Sequence, residues 1–135
     1  MLEATLATKT LPYDRYFVTF YAPHLEHLLD SGKCYFVMNP YQNAFRFLIN
    51  FFQSLRIYLK EKPNVIITTG ASVAIATCLI GKIFGAKIIF VETAAAIKGA
   101  SITGNFLYPF ADLFFVQWRD QLRHYRNATY VGDLM

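Results

Sequence analysis

The chain has 135 residues, 55% of them apolar and 17% aromatic, and a formal net charge of +4. That length suits one domain with a real core, and that apolar content excludes a disordered chain. The basic residues are scattered among aromatics instead of forming a Lys/Arg block, which favours an anionic membrane surface or a phosphorylated lipid over a nucleic acid, while an ordinary soluble domain with a few extra lysines fits the charge equally well.

In chain order, helix formers over Met1–Thr10 predict the end of a helix, and the β-branched, aromatic run Tyr16–Tyr21 predicts a strand turned by Ala22-Pro23. A short helix over His24–Leu29 closes at Ser31-Gly32, and Cys34–Met38 reads as a second strand stopped by Asn39-Pro40. A long helix is expected from about Gln42 to Lys62, where Pro63 ends it. There follow a strand at Val65–Thr69, a helix over Ser72–Phe84 closed by Gly85, and a strand at Lys87–Glu92. A short helix near Thr103–Pro109, a strand at Leu113–Gln117, a helix over Asp120–Tyr125 and a last strand at Thr129–Val131 complete the chain.

This alternation predicts a single α/β domain, residues 1–135, with a doubly wound parallel sheet. Val65 to Gly81 runs uncharged for 17 positions. Thr68-Thr69-Gly70 breaks that run, so it reads as a buried strand followed by a buried helix and not as a membrane span. A doubly wound sheet normally begins with a strand that becomes central, and the chain opens instead on the helix that would follow it. Either Tyr16–Tyr21 and Val65–Thr69 pair across that vacancy or apolar edges stay exposed, which suggests a truncated start.

Cys34 and Cys78 are two and far apart, so both read as buried small apolar residues without a disulfide framework. His24, His27 and His124 have no third ligand at metal spacing, and neither metal nor cofactor is expected. No secretory leader is recognised, and a cytosolic address follows by default.

In an open parallel sheet, ligands bind outside the carboxyl ends of the strands, so function is sought at Thr68–Ser72 and Glu92–Thr93. Thr68, Thr69 and Ser72 offer hydroxyls at a helix N-terminus, while Gly70 and Ala71 let the backbone approach an anion. The plainer alternative is that Ser72 or Thr69 merely caps its own helix. Glu92, ending a buried strand, is the candidate base or acceptor-orienting group. Its structural alternative is a carboxylate bonded to Lys98 or to nearby N–H groups. Ser101, Thr103 and Gly104 start a helix with Ser101 as its cap, or touch the ligand. Gln117 and Trp118 lie at the same cleft edge, where the indole stacks on a sugar, lines a partner interface or simply packs.

On the long helix, Phe45, Leu48, Ile49, Phe52, Leu55 and Leu59 recur at helical spacing and are expected to face the core. Phe47, Phe51 and Tyr58 then fall outside that stripe beside Arg46, Arg56 and Lys60, a mixture suited to lipid headgroups or to a partner chain. The apolar and basic loop Ile97–Pro109 is a second candidate for lipid approach.

Several strings, in this order and spacing, resemble one family: Ile66-Ile67-Thr68-Thr69-Gly70-Ala71-Ser72, Gly81-Lys82-Ile83-Phe84-Gly85-Ala86-Lys87, Glu92-Thr93, Ser101-Ile102-Thr103-Gly104, Tyr108-Pro109-Phe110-Ala111-Asp112, Val116-Gln117-Trp118 and Tyr130-Val131-Gly132. It is the membrane-side subunit of the split N-acetylglucosaminyltransferase of asparagine-linked glycosylation, with its bacterial counterparts in capsule and exopolysaccharide synthesis. The resemblance implies a Rossmann-like, acceptor-side half of a GT-B glycosyltransferase at the cytoplasmic face of the membrane. That half would recruit a separate catalytic, UDP-sugar-binding subunit to a polyprenyl-diphosphate-linked sugar acceptor. The family is also similar to the N-terminal domain of the muramyl-pathway N-acetylglucosaminyltransferase, which carries a Glu at the corresponding strand end, and on that analogy Glu92 lies beside the acceptor hydroxyl. The family likeness further implies that the C-terminal segment with Val131 and Gly132 lies near the partner. The family's opening strand and Gly-Gly-His loop are lacking, so no role of that loop is carried over. Two other readings stay open: an anchoring module with no group in the reaction, and an inactive, truncated remnant.

Overall fold

The computed structural model describes residues 16–19, 33–40, 43–70, 72–96 and 99–132. Strands β1 (Tyr16–Thr19) and β2 (Lys33–Phe36) pair in parallel, and Val37 N–H extends their ladder to Thr19 O at 2.8 Å. Strands β3 (Val65–Thr68), β4 (Lys87–Val91), β5 (Leu113–Val116) and β6 (Thr129–Tyr130) form a second sheet in that order, again wholly parallel. Parallel strands need crossovers, and these are α1 (Ala44–Glu61), α2 (Ala74–Ile83) and α3 (Ile102–Leu107), with short 3₁₀ turns at Tyr108–Phe110 and Arg119–Arg123. Because the strands of each sheet run the same way, Thr68, Glu92, Gln117 and Val131 emerge together at one end of the second sheet.

The expected α/β architecture is therefore present. Helix starts and strand ends shift by a residue or two, and the helix expected over Asp120–Tyr125 is a 3₁₀ turn beginning at Arg119. The elements expected at Met1–Thr10 and His24–Leu29, with the turn at Ala22-Pro23, lie outside the described residues. Among the described residues no ladder joins β1 to β3.

The core of the larger sheet is aromatic. Phe90 and Phe114 stack at 4.7 Å between ring centroids, and Tyr125 leans on Phe114 at 4.3 Å. Ile88, Leu107 and Val116 close the cluster. Each side chain of that size contributes about 1.5–3 kcal/mol when fully buried. Cys78 belongs to this core, and burial pushes its thiol up to about 12. Cys34, expected to be buried, is only partly so.

Helix α1 is rotated from the expected orientation, which holds only for Leu55, packed against the core beside Tyr58, and for the half-buried Ile49. Phe45 (71% exposed), Phe52 (60%), Leu48 and Leu59 face outward, whereas Asn50, Ser54 and Tyr58 are buried and Phe47 and Phe51 are half-buried. Of the α1 residues expected to meet lipid, Arg46, Arg56 and Lys60 are exposed, and in the second expected stretch Ile102 (78%) and Phe106 are exposed, with residues 97 and 98 outside the described ones. The cause of the rotation is polar anchoring. Asn50 Nδ2 donates to Met38 O at 2.8 Å, and Met38 N–H donates to Gln53 Oε1 at 2.7 Å. These bonds satisfy the backbone leaving β2 and fix the rotation of a helix that is apolar on both faces. Tyr58 then stacks on Phe84 at 5.3 Å and packs with Ile80 and Ala86, which joins α1 to α2.

Candidate functional site

At the end of β3 the buried Thr68 Oγ1 accepts a hydrogen bond from Gly70 N–H at 3.3 Å, and Gly70 takes φ +96°, a region that favours glycine. Thr69 is half-buried beside it, and Ala71 lies outside the described residues. Helix α2 begins at Val73, whose backbone is already helical, and no side chain caps it. Ser72 Oγ instead donates to Asn39 Oδ1 at 3.4 Å, which ties this turn to the segment after β2. The sequence offered Ser72 or Thr69 as an ordinary cap, and neither serves as one. A helix start without a cap, next to a left-handed glycine, is chemically suited to an anion.

Glu92, the residue after β4, is fully buried. Its Oε1 accepts from Thr93 N–H at 3.0 Å, and its Oε2 accepts from Ser101 N–H at 3.1 Å and from Tyr125 O–H at 2.5 Å. Both carboxylate oxygens are thus engaged inside the protein, and the described geometry leaves neither at the surface. Tyr125 is held protonated, because burial and then the Glu92 carboxylate push its phenol well above its ordinary range. Ser101 Oγ caps α3 by accepting from Gly104 N–H at 2.8 Å, as the sequence suggests. Thr103 and Gly104, weighed as ligand contacts, are buried in α3, with Gly104 facing Glu92.

The same loop is held from its carbonyl side. Gln117 Nε2 donates to Glu92 O at 2.9 Å, the Trp118 indole N–H to Ala94 O at 2.7 Å, and Gln121 Nε2 to Ala96 O at 2.6 Å. Gln121 Oε1 in turn accepts from the N–H groups of Gln117 and Trp118, both at 3.1 Å. Gln117 is therefore internal, and the polar end of Trp118 serves the loop. Thr93 Oγ1 accepts from Ala95 N–H at 3.3 Å within the same turn. Val131 donates its N–H to Val116 O at 3.0 Å and leaves its side chain exposed beside Gly132, at φ +82°.

Thr68, Ser72, Glu92 and Ser101 thus gather at one sheet end, whereas Arg46, Phe47, Phe51, Arg56 and Tyr58 belong to α1. Three residues of the site escaped the sequence: Asn39, Gln121 and Tyr125. A signal existed, because Gln117, Gln121 and Tyr125 recur every fourth position, the spacing of one helical face. Among the described residues no group of three His, Cys, Asp or Glu can hold a metal ion, and no helix is long and apolar enough to cross a membrane.

Comparison with known proteins adds the following. A family model described as "Oligosaccharide biosynthesis protein Alg14 like" matches residues 26–134. The UDP-N-acetylglucosamine transferase subunit alg14 of Schizosaccharomyces pombe is 40% identical over 75 residues, which cover 52% of this chain and 36% of that protein. The subunit of Yarrowia lipolytica is 30% identical over 93 residues, 64% of this chain and 43% of its own length. That of Mus musculus is 27% identical over 88 residues, 61% and 41% respectively. The chain therefore spans less than half the length of these relatives. Among solved structures, the crystal structure of Acinetobacter baumannii MurG superposes with a TM-score of 0.61 at 14% identity, over 80% of this chain and 43% of that one. That likeness is one of fold.

Proposed function

The chain belongs to the Alg14-like family of oligosaccharide biosynthesis proteins, and from that premise we propose that it is the acceptor-side half of a two-component glycosyltransferase. In this reading it is a single half-domain that pairs with a catalytic subunit binding UDP-N-acetylglucosamine, the sugar nucleotide named in its relatives. The acceptor is a polyprenyl-diphosphate-linked sugar, and the product is a lipid-linked oligosaccharide or, in a bacterial setting, a capsule or exopolysaccharide precursor.

The observation that carries this reading is the uncapped start of α2 beside Gly70. An acceptor diphosphate needs N–H donors without competing carboxylates; the start of α2 supplies backbone donors, and Thr68, Thr69 and Ser72 supply hydroxyls, at the sheet end where ligands bind. The exposed stripe of Phe45, Leu48, Phe52 and Leu59, flanked by Arg46, Arg56 and Lys60, supports peripheral contact with an anionic cytoplasmic membrane face, from which such an acceptor is presented. The exposed Val131, with Gly132, supports a partner-facing edge beside the same cleft.

Titration with a short-chain prenyl diphosphate carrying N-acetylglucosamine, followed by amide resonances, tests the acceptor site. Shifts concentrated in Gly70–Ala76 and saturating with ligand are expected. Shifts confined to the outer face of α1, or none, contradict it.

The enclosure of the Glu92 carboxylate favours a second reading, an anchoring module that supplies no chemical group. That module would assemble with its partner and bring it to the membrane while leaving the acceptor turn unoccupied in the same titration.

A further inference from the structure

We propose that Glu92 is a positioning residue: its enclosed carboxylate pins Thr93 and Ser101, and through Ser101 shapes the acceptor-facing surface beside Gly70. The proposal rests on the acceptor-side reading above and assigns Glu92 to acceptor binding, not to proton removal.

Three donors converge on this carboxylate: the N–H groups at the two ends of the loop, Thr93 and Ser101, and the hydroxyl of Tyr125. A group surrounded by donors must be an acceptor only, and among side chains of this length only an ionised glutamate offers two such oxygens. A glutamine there sets its own N–H₂ against Thr93 N–H or against Ser101 N–H. A base would need a lone pair open to the acceptor hydroxyl, and with Glu92 fully buried the one that Thr93 N–H leaves on Oε1 does not reach the surface.

The connection to the turn is steric. Ser101 Oγ lies 3.9 Å from where a Cβ on Gly70 would stand, and the Phe90 ring lies 3.1 Å from that point. Moving Ser101 therefore moves one wall of the turn. Gly104 closes the clamp from behind. A Cβ added there would overlap Glu92 Oε2 and stand 2.6 Å from Tyr125 Oη and 2.8 Å from Ser101 Oγ. Position 104 thus offers a way to displace the carboxylate without altering any ionisable group.

The test compares Glu92→Gln, Gly104→Ala and the milder Tyr125→Phe, each assembled with the partner subunit, using a prenyl-diphosphate-linked N-acetylglucosamine acceptor. A positioning role predicts that all three raise the acceptor KM together, about tenfold for the first two, with kcat within about threefold and the pH profile unchanged in shape. Loss of about 10²-fold or more in kcat for Glu92→Gln, at steady KM and with a limb of the pH profile missing, overturns the proposal in favour of a base. Unchanged kinetics in Glu92→Gln overturns it as well.

Hydrogen exchange on the chain alone gives a separate readout. Protection of the Thr93 and Ser101 amides falls in Glu92→Gln and Gly104→Ala, while that of Ile88 and Phe90 in β4 holds. Undiminished protection at Thr93 and Ser101 refutes the clamp. If the wild-type pair transfers no sugar, the glycosyltransferase reading fails, and the clamp is still judged by this exchange.

Discussion

Single residues carry most of the site's geometry, and their neighbours in space decide what each does. Glu92 was visible in the sequence as a carboxylate ending an apolar strand. Its partners were not, since Tyr125 stands 33 positions away and Ser101 contributes a backbone N–H that no side-chain pattern reveals. The opposite end of the sheet shows a second acidic residue with a different electrostatic setting. Asp112 accepts from Ile88 N–H at 2.8 Å and from Lys82 Nζ at 3.1 Å, with Lys87 at 3.9 Å. The backbone bond first, and then the lysines, hold its carboxyl below its ordinary value of 3.8. A depressed folded pKa stabilises the fold above the unfolded value, and that stabilisation is lost as pH falls through the folded one. Urea unfolding of wild type and Asp112→Asn is therefore expected to differ at pH 5–7 and to converge as pH drops below about 4. A gap that widens on acidification contradicts this assignment.

At the scale of elements, the β-branched and aromatic apolar runs and the Pro and Gly stops made β3, α2, β4 and β5 legible, most clearly β4, which is the most buried of these strands. The rotation of α1 was not legible. Its sequence is apolar on two faces, and periodicity alone chose Phe45, Leu48 and Phe52 for the core. The structure chose Asn50, Ser54 and Tyr58, because backbone groups after β2 require partners that only Asn50 and Gln53 supply. Two predictions follow from that rotation. Asn50→Ala leaves Met38 O with one donor fewer in a part-buried setting and is expected to lower stability by about 0.5–1.5 kcal/mol in chemical unfolding. The double change Phe45→Ser and Phe52→Ser is expected to leave the unfolding free energy within about 0.5 kcal/mol of wild type while weakening sedimentation with vesicles of anionic lipid. Unfolding of that double variant with unchanged vesicle binding returns those two rings to the core.

For the molecule as a whole, the described residues build two parallel sheets bridged by α1, with the ligand-suited ends of β3, β4 and β5 at one edge. The fold class was legible from the alternation of elements, and the family from the order of its motifs, confirmed over residues 26–134. The geometry of the proposed two-chain cleft was not legible, because one sequence carries at most one of its walls. The central claim is that this chain completes an enzyme by supplying the acceptor side. The most direct test combines the chain, its candidate nucleotide-sugar-binding partner and vesicles containing a polyprenyl-diphosphate-linked N-acetylglucosamine, and measures transfer of label from UDP-N-acetylglucosamine into lipid. Transfer by the pair and by neither chain alone is the predicted result. A partner that transfers equally well without this chain, or a stable pair that transfers nothing, contradicts the account.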